Sequence, residues 1–142
     1  ITEDRFLVYA KKILNQKKAS IPEEECRTAI SRAYYSLYHT TGSSLKKKYS
    51  FQLIKEIRRS YSRVDIGRLN RLDKQYLRSF NLHKMFFLAL LRLGFTDVAF
   101  RFKDFRSKRN DADYDLSLNF SATYSRTIVS EIEKLTAIIM HI

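Results

Sequence analysis

The sequence predicts a single all-α domain, an up-and-down bundle of four to six helices, on three observations. A chain of 142 residues is about one domain long and buries roughly two-thirds of its unfolded surface on folding. Hydrophobic residues make up 44% of the chain and include 9 Tyr and 10 Phe, too much apolar bulk for a disordered protein. Only 3 Gly and 1 Pro are present, which favours long helices over a β fold rich in tight turns. We therefore expect one helical domain over residues 1–142.

The first helix is predicted from residues 2–4, whose Thr-Glu-Asp sequence is typical of a helix start. The helical spacing of apolar residues then continues until the polar sequence 15–18. The side chains expected to face inward are those of Phe6, Tyr9, Ala10 and Ile13.

The second helix has the clearest start signals of the sequence. Ser20 and Glu23 form the S-x-x-E pattern of a capping box, and Pro22 lies in the expected first turn. The helix is predicted to continue to about Thr41 and to end at Gly42. Its inward face is formed by Cys26, Ala29, Ile30, Ala33, Tyr34, Leu37 and Tyr38.

Residues 43–80 have a less regular pattern. One helical stripe is formed by Ile54, Ile57 and Tyr61, and a second by Leu69, Leu72, Tyr76 and Phe80. Asn81 is predicted to cap a short, nearly all-apolar helix through Leu93, with Gly94 as its C-terminal stop. So apolar a helix is either fully buried or part of an oligomer contact.

Two further helices are predicted in the C-terminal third. Asp97 is expected to cap a helix that ends in the acidic segment 110–115. Val98, Phe102 and Phe105 are predicted to face inward, and Arg101, Lys103, Arg106, Lys108 and Arg109 to project outward. The last helix begins at about Ser121 and carries a packing seam, within the monomer or across a dimer. The seam consists of Ile128, Ile132, Leu135, Ile139 and Ile142.

The formal charge of +12 belongs entirely to the middle of the chain. Residues 44–111 hold eighteen of the 27 Lys and Arg but only six of the 15 Asp and Glu, whereas the remaining residues balance. A segregated positive charge attracts polyanions and predicts salt-sensitive binding of nucleic acid. A solvated basic surface, an anionic membrane surface and an acidic partner protein are the alternatives.

Several kinds of protein are disfavoured by the sequence. Three scattered histidines and one cysteine offer no metal-ligand spacing, and the phosphate-binding glycine motifs are missing, so we expect neither a metal site nor a cofactor. The acidic residues Asp111, Asp113 and Asp115 favour a solvated loop over a divalent-ion site. The longest apolar run is too short to cross a membrane, no signal peptide is evident, and Cys26 is unpaired, so a cytoplasmic protein is expected.

Residues 32–39 form the densest group of polar aromatic side chains. Tyr34 and Tyr38, four positions apart, are predicted to be core residues. Tyr35 and His39 lie on a second face of the helix, which in a functional interpretation lines a cleft; for His39 a structural role remains an equal alternative.

The segment 106–114 is the second group of interest. Three cations at the end of a helix, followed by polar side chains, could bind a phosphate, because the guanidinium group is a planar fork that matches phosphate oxygens. The same cations could instead complement the helix dipole, and the spacing alone does not decide.

Taken together, the S-R-A-Y-Y-S-L-Y-H sequence at 31–39 and the R-N-D-A-D-Y-D sequence at 109–115 resemble the motifs of the HEPN superfamily. The resemblance implies a bundle of four or five helices that usually dimerises and brings two copies of the late motif into one basic cleft. Many HEPN proteins are metal-independent ribonucleases of toxin–antitoxin, CRISPR or anti-phage systems.

The HEPN motif is an arginine and a polar residue, followed after a short spacing by a histidine. Carried over to this chain, Arg109 would stabilise a phosphate in the transition state and Asn110 would position it. Tyr114 stands where the histidine is expected, and a phenol transfers protons poorly near neutral pH. His39 would then supply the imidazole if the second helix lines the same cleft.

We therefore expect an RNA-targeting HEPN-like module of a toxin–antitoxin or anti-phage system, a homodimer, with metal-independent ribonuclease activity as its candidate chemistry. The side chains expected to bind nucleic acid are those of Arg32, Arg101, Arg106 and Lys108. One alternative is a non-catalytic HEPN module that binds a nucleotidyltransferase-like antitoxin partner or nucleic acid. A basic helical scaffold with no nucleic-acid role is another.

Overall fold

The structure, a computed structural model, describes residues 4–16, 20–48 and 82–142. These ranges contain five helices and no strand, which confirms the predicted all-α bundle. The helices are α1 (Asp4–Leu14), α2 (Glu23–Lys48), α3 (Leu82–Arg92), α4 (Thr96–Tyr114) and α5 (Ala122–Met140). The predicted start of the first helix at residues 2 and 3, the stripes between Ile54 and Phe80, and the cap at Asn81 lie outside the described residues.

α2 is the central helix, packed against α1, α4 and α5 and in contact with α3. Its predicted inward face is confirmed, with six of the seven residues buried and Tyr38 partly buried. The free Cys26 belongs to this face. The α5 seam packs against α2, so it is a contact within the monomer. Buried seam residues are Ile128, Ile132, Leu135 and Ile139.

α1 presents a narrower apolar stripe than its sequence predicts. Ala10, Ile13 and Leu14 are buried, but Tyr9 is 51% exposed, so its predicted inward position is wrong. Because successive helix residues are rotated by about 100°, a helix packed on two neighbours buries only the stripe centred on those three residues. Phe6 is half-buried at the edge of this stripe.

Two helix boundaries on α2 differ from the prediction. The first helical hydrogen bonds are accepted by the carbonyl of Pro22, from the amides of Glu25 at 3.0 Å and Cys26 at 3.1 Å, so Ser20 lies outside the helix. At the other end the helix passes through Gly42 and continues to Lys48. A Cβ atom on Gly42 would lie 3.0 Å from the Cζ atom of Phe86, so this glycine permits close packing of α3 and does not end the helix.

The stop at Gly94 is confirmed. Its φ of +89° is in the left-handed region, and the amide of Phe95 donates to the carbonyl of Leu90 at 2.9 Å. The amide of Gly94 donates to the carbonyl of Leu91 at 3.0 Å, which completes a Schellman motif at the end of α3. Among the described side chains of the nearly all-apolar α3, five apolar residues and Lys84 are buried.

α4 begins earlier and ends later than its sequence signals predict. Phe95 occupies the N-cap position, and Asp97 lies in the first turn, where its carboxylate is 3.8 Å from Arg101. The predicted cap at Asp97 is wrong because the Schellman turn leads directly into the next helix. The helix includes residues 110–114, so the predicted acidic loop is helical up to Tyr114. Ser121 is confirmed as the N-cap of α5, since its hydroxyl accepts from the Tyr124 amide at 3.0 Å.

Within the described ranges, no helix combines the length and apolar character needed to span a membrane.

Candidate phosphate-binding cavity

An open cavity of about 440 Å³ lies where α1, α2 and the C-terminal end of α4 meet. Its size is within the range of roughly 300–1,000 Å³ that is usual for ligand sites. The predicted second face of α2 forms one wall. The lining residues are Phe6, Thr28, Ser31, Arg32, Tyr35, His39 and Asp113. Tyr35 and His39 therefore do line a cleft, as the functional interpretation of that face requires.

Arg109 is fixed behind the cavity wall by three side chains. Its Nη2 donates to the hydroxyl of Tyr35 at 2.9 Å, and its Nη1 donates to Oδ1 of Asn110 at 3.1 Å. Its Nε lies 2.9 Å from Oδ2 of Asp113 in an ion pair, and only 16% of the side chain is exposed. The predicted outward projection of Arg109 is wrong, because its guanidinium packs over the ring of Tyr35 at 5.2 Å. Each terminal nitrogen keeps one further N–H, so the group is oriented yet still able to donate.

Asp113 is held in place from α2. Ser31 Oγ lies 3.4 Å from Asp113 Oδ2. One turn earlier on α2, the Nη1 of Arg27 donates to the carbonyls of Asp111, Ala112 and Asp115 at 3.2, 3.0 and 2.9 Å. These carbonyls lie at the C-terminal end of α4, where the last carbonyls of a helix lack donors within the helix. The carbonyl of Asp111 also accepts from the amide of Asp115 at 2.9 Å. Arg27 therefore fixes the end of the helix that carries Arg109 and Asp113.

Sequence reasoning missed Arg27. The available signal was its spacing of four residues from Glu23, with which it forms an ion pair at 3.0 Å. That spacing predicts a surface pair on one helix. It does not indicate that the same guanidinium reaches α4.

Three aromatic rings form the inner wall of the cavity. The rings of Phe6 and His39 have centroids 5.5 Å apart and planes 17° apart. Tyr35 lies 6.3 Å from His39 at 25° and 6.0 Å from Phe6 at 36°. Arg32, which is exposed, places its guanidinium 6.0 Å from the Phe6 centroid. The cavity thus combines a ring cluster with an exposed cation at its rim.

A second tyrosine–histidine pair lies on the buried side of α2. The hydroxyl of Tyr34 is 2.5 Å from Nδ1 of His83 on α3, and the Tyr38 ring stacks on His83 at 4.4 Å. Burial, together with the smaller effect of the nearby cations Arg106 and Arg109, lowers the pKa of His83 to about 4. Burial also raises the pKa of Tyr34. The hydroxyl of Tyr34 therefore donates to a neutral imidazole. Sequence reasoning missed His83 because its partner is 49 residues away.

The remaining predicted site residues lie apart from the cavity. Tyr114 is 75% exposed at the end of α4 and does not line it. Lys108 pairs with Asp104 at 2.8 Å, and Arg101 lies near Asp97, so both are engaged on the surface of α4. Arg106 lines a separate cavity of about 40 Å³ beside His83. Of the predicted residues, the structure brings together Arg32, His39, Arg109 and Asn110.

This arrangement can bind an anion and offer a ring surface to a planar group. Two guanidinium groups approach the same wall, one exposed and one oriented by hydrogen bonds. Imidazole is the side chain best suited to proton transfer near neutral pH, and His39 is exposed in the cavity. In the part of the chain that the structure describes, no group of three His, Cys, Asp or Glu is placed to hold a metal ion.

No family model, curated protein or solved structure matches the chain.

Proposed function

We propose that this chain is an RNA-targeting module of a cytoplasmic toxin–antitoxin or anti-phage system, and that it binds RNA phosphate at the cavity between α1, α2 and α4. The observation that carries the proposal is the position of Arg109, held by Tyr35 and Asp113 behind a wall that also carries Arg32. The biological setting rests on the resemblance of segments 31–39 and 109–115 to the HEPN motifs.

The electrostatics of this region support phosphate as the ligand. Arg32 is exposed at the rim, and no hydrogen bond or ion pair engages its guanidinium among the described residues. Arg109 retains two N–H groups beyond its three contacts. Charge-assisted hydrogen bonds from guanidinium to phosphate are stronger than neutral ones, and a group that is already oriented loses less entropy on binding.

His39 supplies the chemistry for metal-independent cleavage. In such a reaction the ribose 2′-oxygen attacks phosphorus, its proton passes to a base, and the 5′-oxygen leaves with a proton. The imidazole of His39 would carry the proton, and Arg109 would stabilise the charge that develops on the phosphate. The rings of His39 and Tyr35 are 6.3 Å apart, and Tyr35 in turn contacts Arg109, so both groups belong to one cluster.

A non-catalytic module that binds a nucleotidyltransferase-like partner or nucleic acid is the second candidate. It is favoured by the engagement of Arg109 with Asp113, which offsets part of its charge, and by the exposure of Tyr114 outside the cavity. In this function the cavity would hold an anionic group without transferring a proton. The homodimer expected from the HEPN resemblance is part of both candidates, and sedimentation equilibrium of the purified chain would test it.

RNA binding is tested by fluorescence anisotropy of a labelled 20-nucleotide RNA across a salt series. We expect Arg109→Ala and Arg32→Gln each to weaken binding about tenfold or more and to reduce the salt slope by about one. Lys134→Gln is the matched control, because Lys134 is an exposed cation on α5 away from the cavity. Equal losses in all three variants, or binding without salt dependence, would contradict the proposal.

Cleavage is tested on the same RNA in the presence of EDTA. We expect cleavage products that end in a 2′,3′-cyclic phosphate and a loss of about a hundredfold or more in rate for His39→Ala. RNA that is bound but remains intact identifies the second candidate. Cutting that survives both His39→Ala and Arg109→Ala assigns the activity to a contaminant.

A further inference from the structure

The three rings of the cavity wall form a compact triangular cluster. The planes of Phe6, His39 and Tyr35 are within 17–36° of one another, with centroids 5.5–6.3 Å apart. His39 is the exposed member of the three. A planar ligand in the cavity can therefore stack on the exposed ring of His39.

The charges around these rings fit the rest of a nucleotide. Arg32 approaches the Phe6 ring at 6.0 Å, and Arg109 approaches the Tyr35 ring at 5.2 Å. A base stacked on this wall would keep its own phosphate near one of the two guanidinium groups. Earlier on α2, the hydroxyls of Thr28 and Ser31 also line the cavity, and with the Asp113 carboxylate of α4 they offer hydrogen-bond partners to a base edge or a ribose.

A base can use this wall only when its own face is free. In an A-form duplex both faces of each base are covered by neighbouring bases, whereas unpaired bases in loops and single strands can be turned outward and stacked on aromatic side chains. An RNA phosphate on its own would need only the cations. The aromatic rings beside the cations add a stacking surface that only an unpaired base can use, so they favour single-stranded over double-stranded RNA.

We infer that the cavity holds an unpaired nucleobase stacked on the ring cluster of Phe6, Tyr35 and His39, so that the chain selects single-stranded over double-stranded RNA. This inference rests on the proposed RNA-binding function and adds the substrate class. The selectivity arises from the rings, and the affinity common to both kinds of RNA arises from the arginines.

The experiment compares a single-stranded RNA that carries one 2-aminopurine with a duplex of the same sequence. Binding of the single strand is expected to quench the 2-aminopurine fluorescence, because stacking on an aromatic ring quenches this base. Phe6→Leu and His39→Leu keep apolar bulk but remove a ring. Each is expected to weaken single-strand binding by about 5- to 150-fold and to leave duplex binding within about twofold.

Two variants separate stacking from the other roles of these residues. His39→Phe keeps a ring and removes the imidazole, so it should retain quenching and affinity while any RNA cleavage is lost. Tyr9→Leu removes an exposed aromatic ring from the same helix as Phe6 but away from the cavity lining, and should behave as the unmodified chain. Thermal unfolding of Phe6→Leu checks its fold, and His39 is exposed, so its variants are expected to fold.

The outcomes distinguish this inference from the function on which it rests. Equal, salt-dependent binding of single strand and duplex, with unchanged fluorescence, overturns base stacking and leaves RNA binding intact. Ring variants that bind and quench like the unmodified chain overturn it as well. If the unmodified chain binds neither RNA, both the inference and the proposed function are wrong.

Discussion

Tyr34 and Tyr35 are neighbours in the sequence and each contacts a histidine, yet their surroundings are opposite. Tyr34 is fully buried, and its hydroxyl is bonded to His83. Tyr35 is half-buried beside a cavity, and its hydroxyl accepts from Arg109 while its ring lies near His39. Because adjacent helix positions are about 100° apart, one tyrosine points into the bundle and the other toward α1 and the end of α4.

The comparison shows that burial, and not residue type, separates a structural pair from a candidate site. On the closed side of α2, where Tyr34 and Tyr38 contact His83, the His83 imidazole is neutral and has its hydrogen-bond partner, so it contributes to packing. On the open side, Tyr35 and His39 face the accessible cavity, which has cations at its edge. The closed side should therefore control stability, and the open side should control ligand binding.

Truncation should produce the largest contrast between the two sides. Tyr34→Ala removes a fully buried aromatic side chain and is expected to reduce the free energy of unfolding by about 3–5 kcal/mol. Tyr35→Ala removes a half-buried ring next to open space, so its cost should be about 1 kcal/mol. Urea denaturation followed by circular dichroism measures both. Similar losses for the two variants would show that the sides are not energetically distinct.

Acidification should destabilise the protein through the closed side. The pKa of His83 is about 4 in the folded chain, against an ordinary value near 6.5, so the unfolded chain binds more protons between these values. The stability that the neutral imidazole provides is present above pH 6.5 and is lost as the pH falls toward 4. We expect the free energy of unfolding to fall by about 1–2 kcal/mol from pH 7 to 4.5. This is less than the full lowering of the His83 pKa would give, because His83 is only partly buried.

The control for this pH dependence is His83→Gln, which removes the titrating group. The groups facing His83 are Tyr34 and Tyr38 on α2 and the cations Arg106 and Arg109 on α4. The tyrosines are neutral in this pH range and the arginines stay protonated, so they titrate in neither chain. An equal loss of stability in variant and unmodified chain would assign the acid sensitivity to carboxylates elsewhere.

The smallest expected effect concerns the packing of the closed side at Gly42. Gly42→Ala would place a Cβ atom 3.0 Å from Phe86 Cζ, and we expect a destabilisation of about 1 kcal/mol after the gain in helix propensity. In a Phe86→Leu background the same substitution should become neutral or stabilising. Thermal denaturation of the four chains measures this coupling. Additive effects would show that Gly42 is not a packing requirement.

Most features that the sequence predicted correctly depend on partners close together in the chain, although two local signals, the caps at Ser20 and Asp97, were wrong. The α2 and α5 faces, the Gly94 stop and the Ser121 cap depend on residues within a few positions of one another, and all were predicted. The predicted helix end at Gly42 was wrong because that glycine makes room for the ring of Phe86, 44 residues later. In the candidate site, the sequence indicated Arg109 and His39 as separate motifs. It did not indicate that Tyr35 connects them.

By itself, the sequence determined that this chain forms an all-α bundle, because apolar side chains at helical spacing must be buried whatever their neighbours are. It also determined which residue types could bind a phosphate. Only the tertiary structure decided that His83 faces the interior, that Tyr35 contacts Arg109, and that Arg27 fixes the end of α4. Those outcomes depend on contacts between residues 49–88 positions apart, and the local pattern of a helix carries no information about what a distant segment brings to its surface.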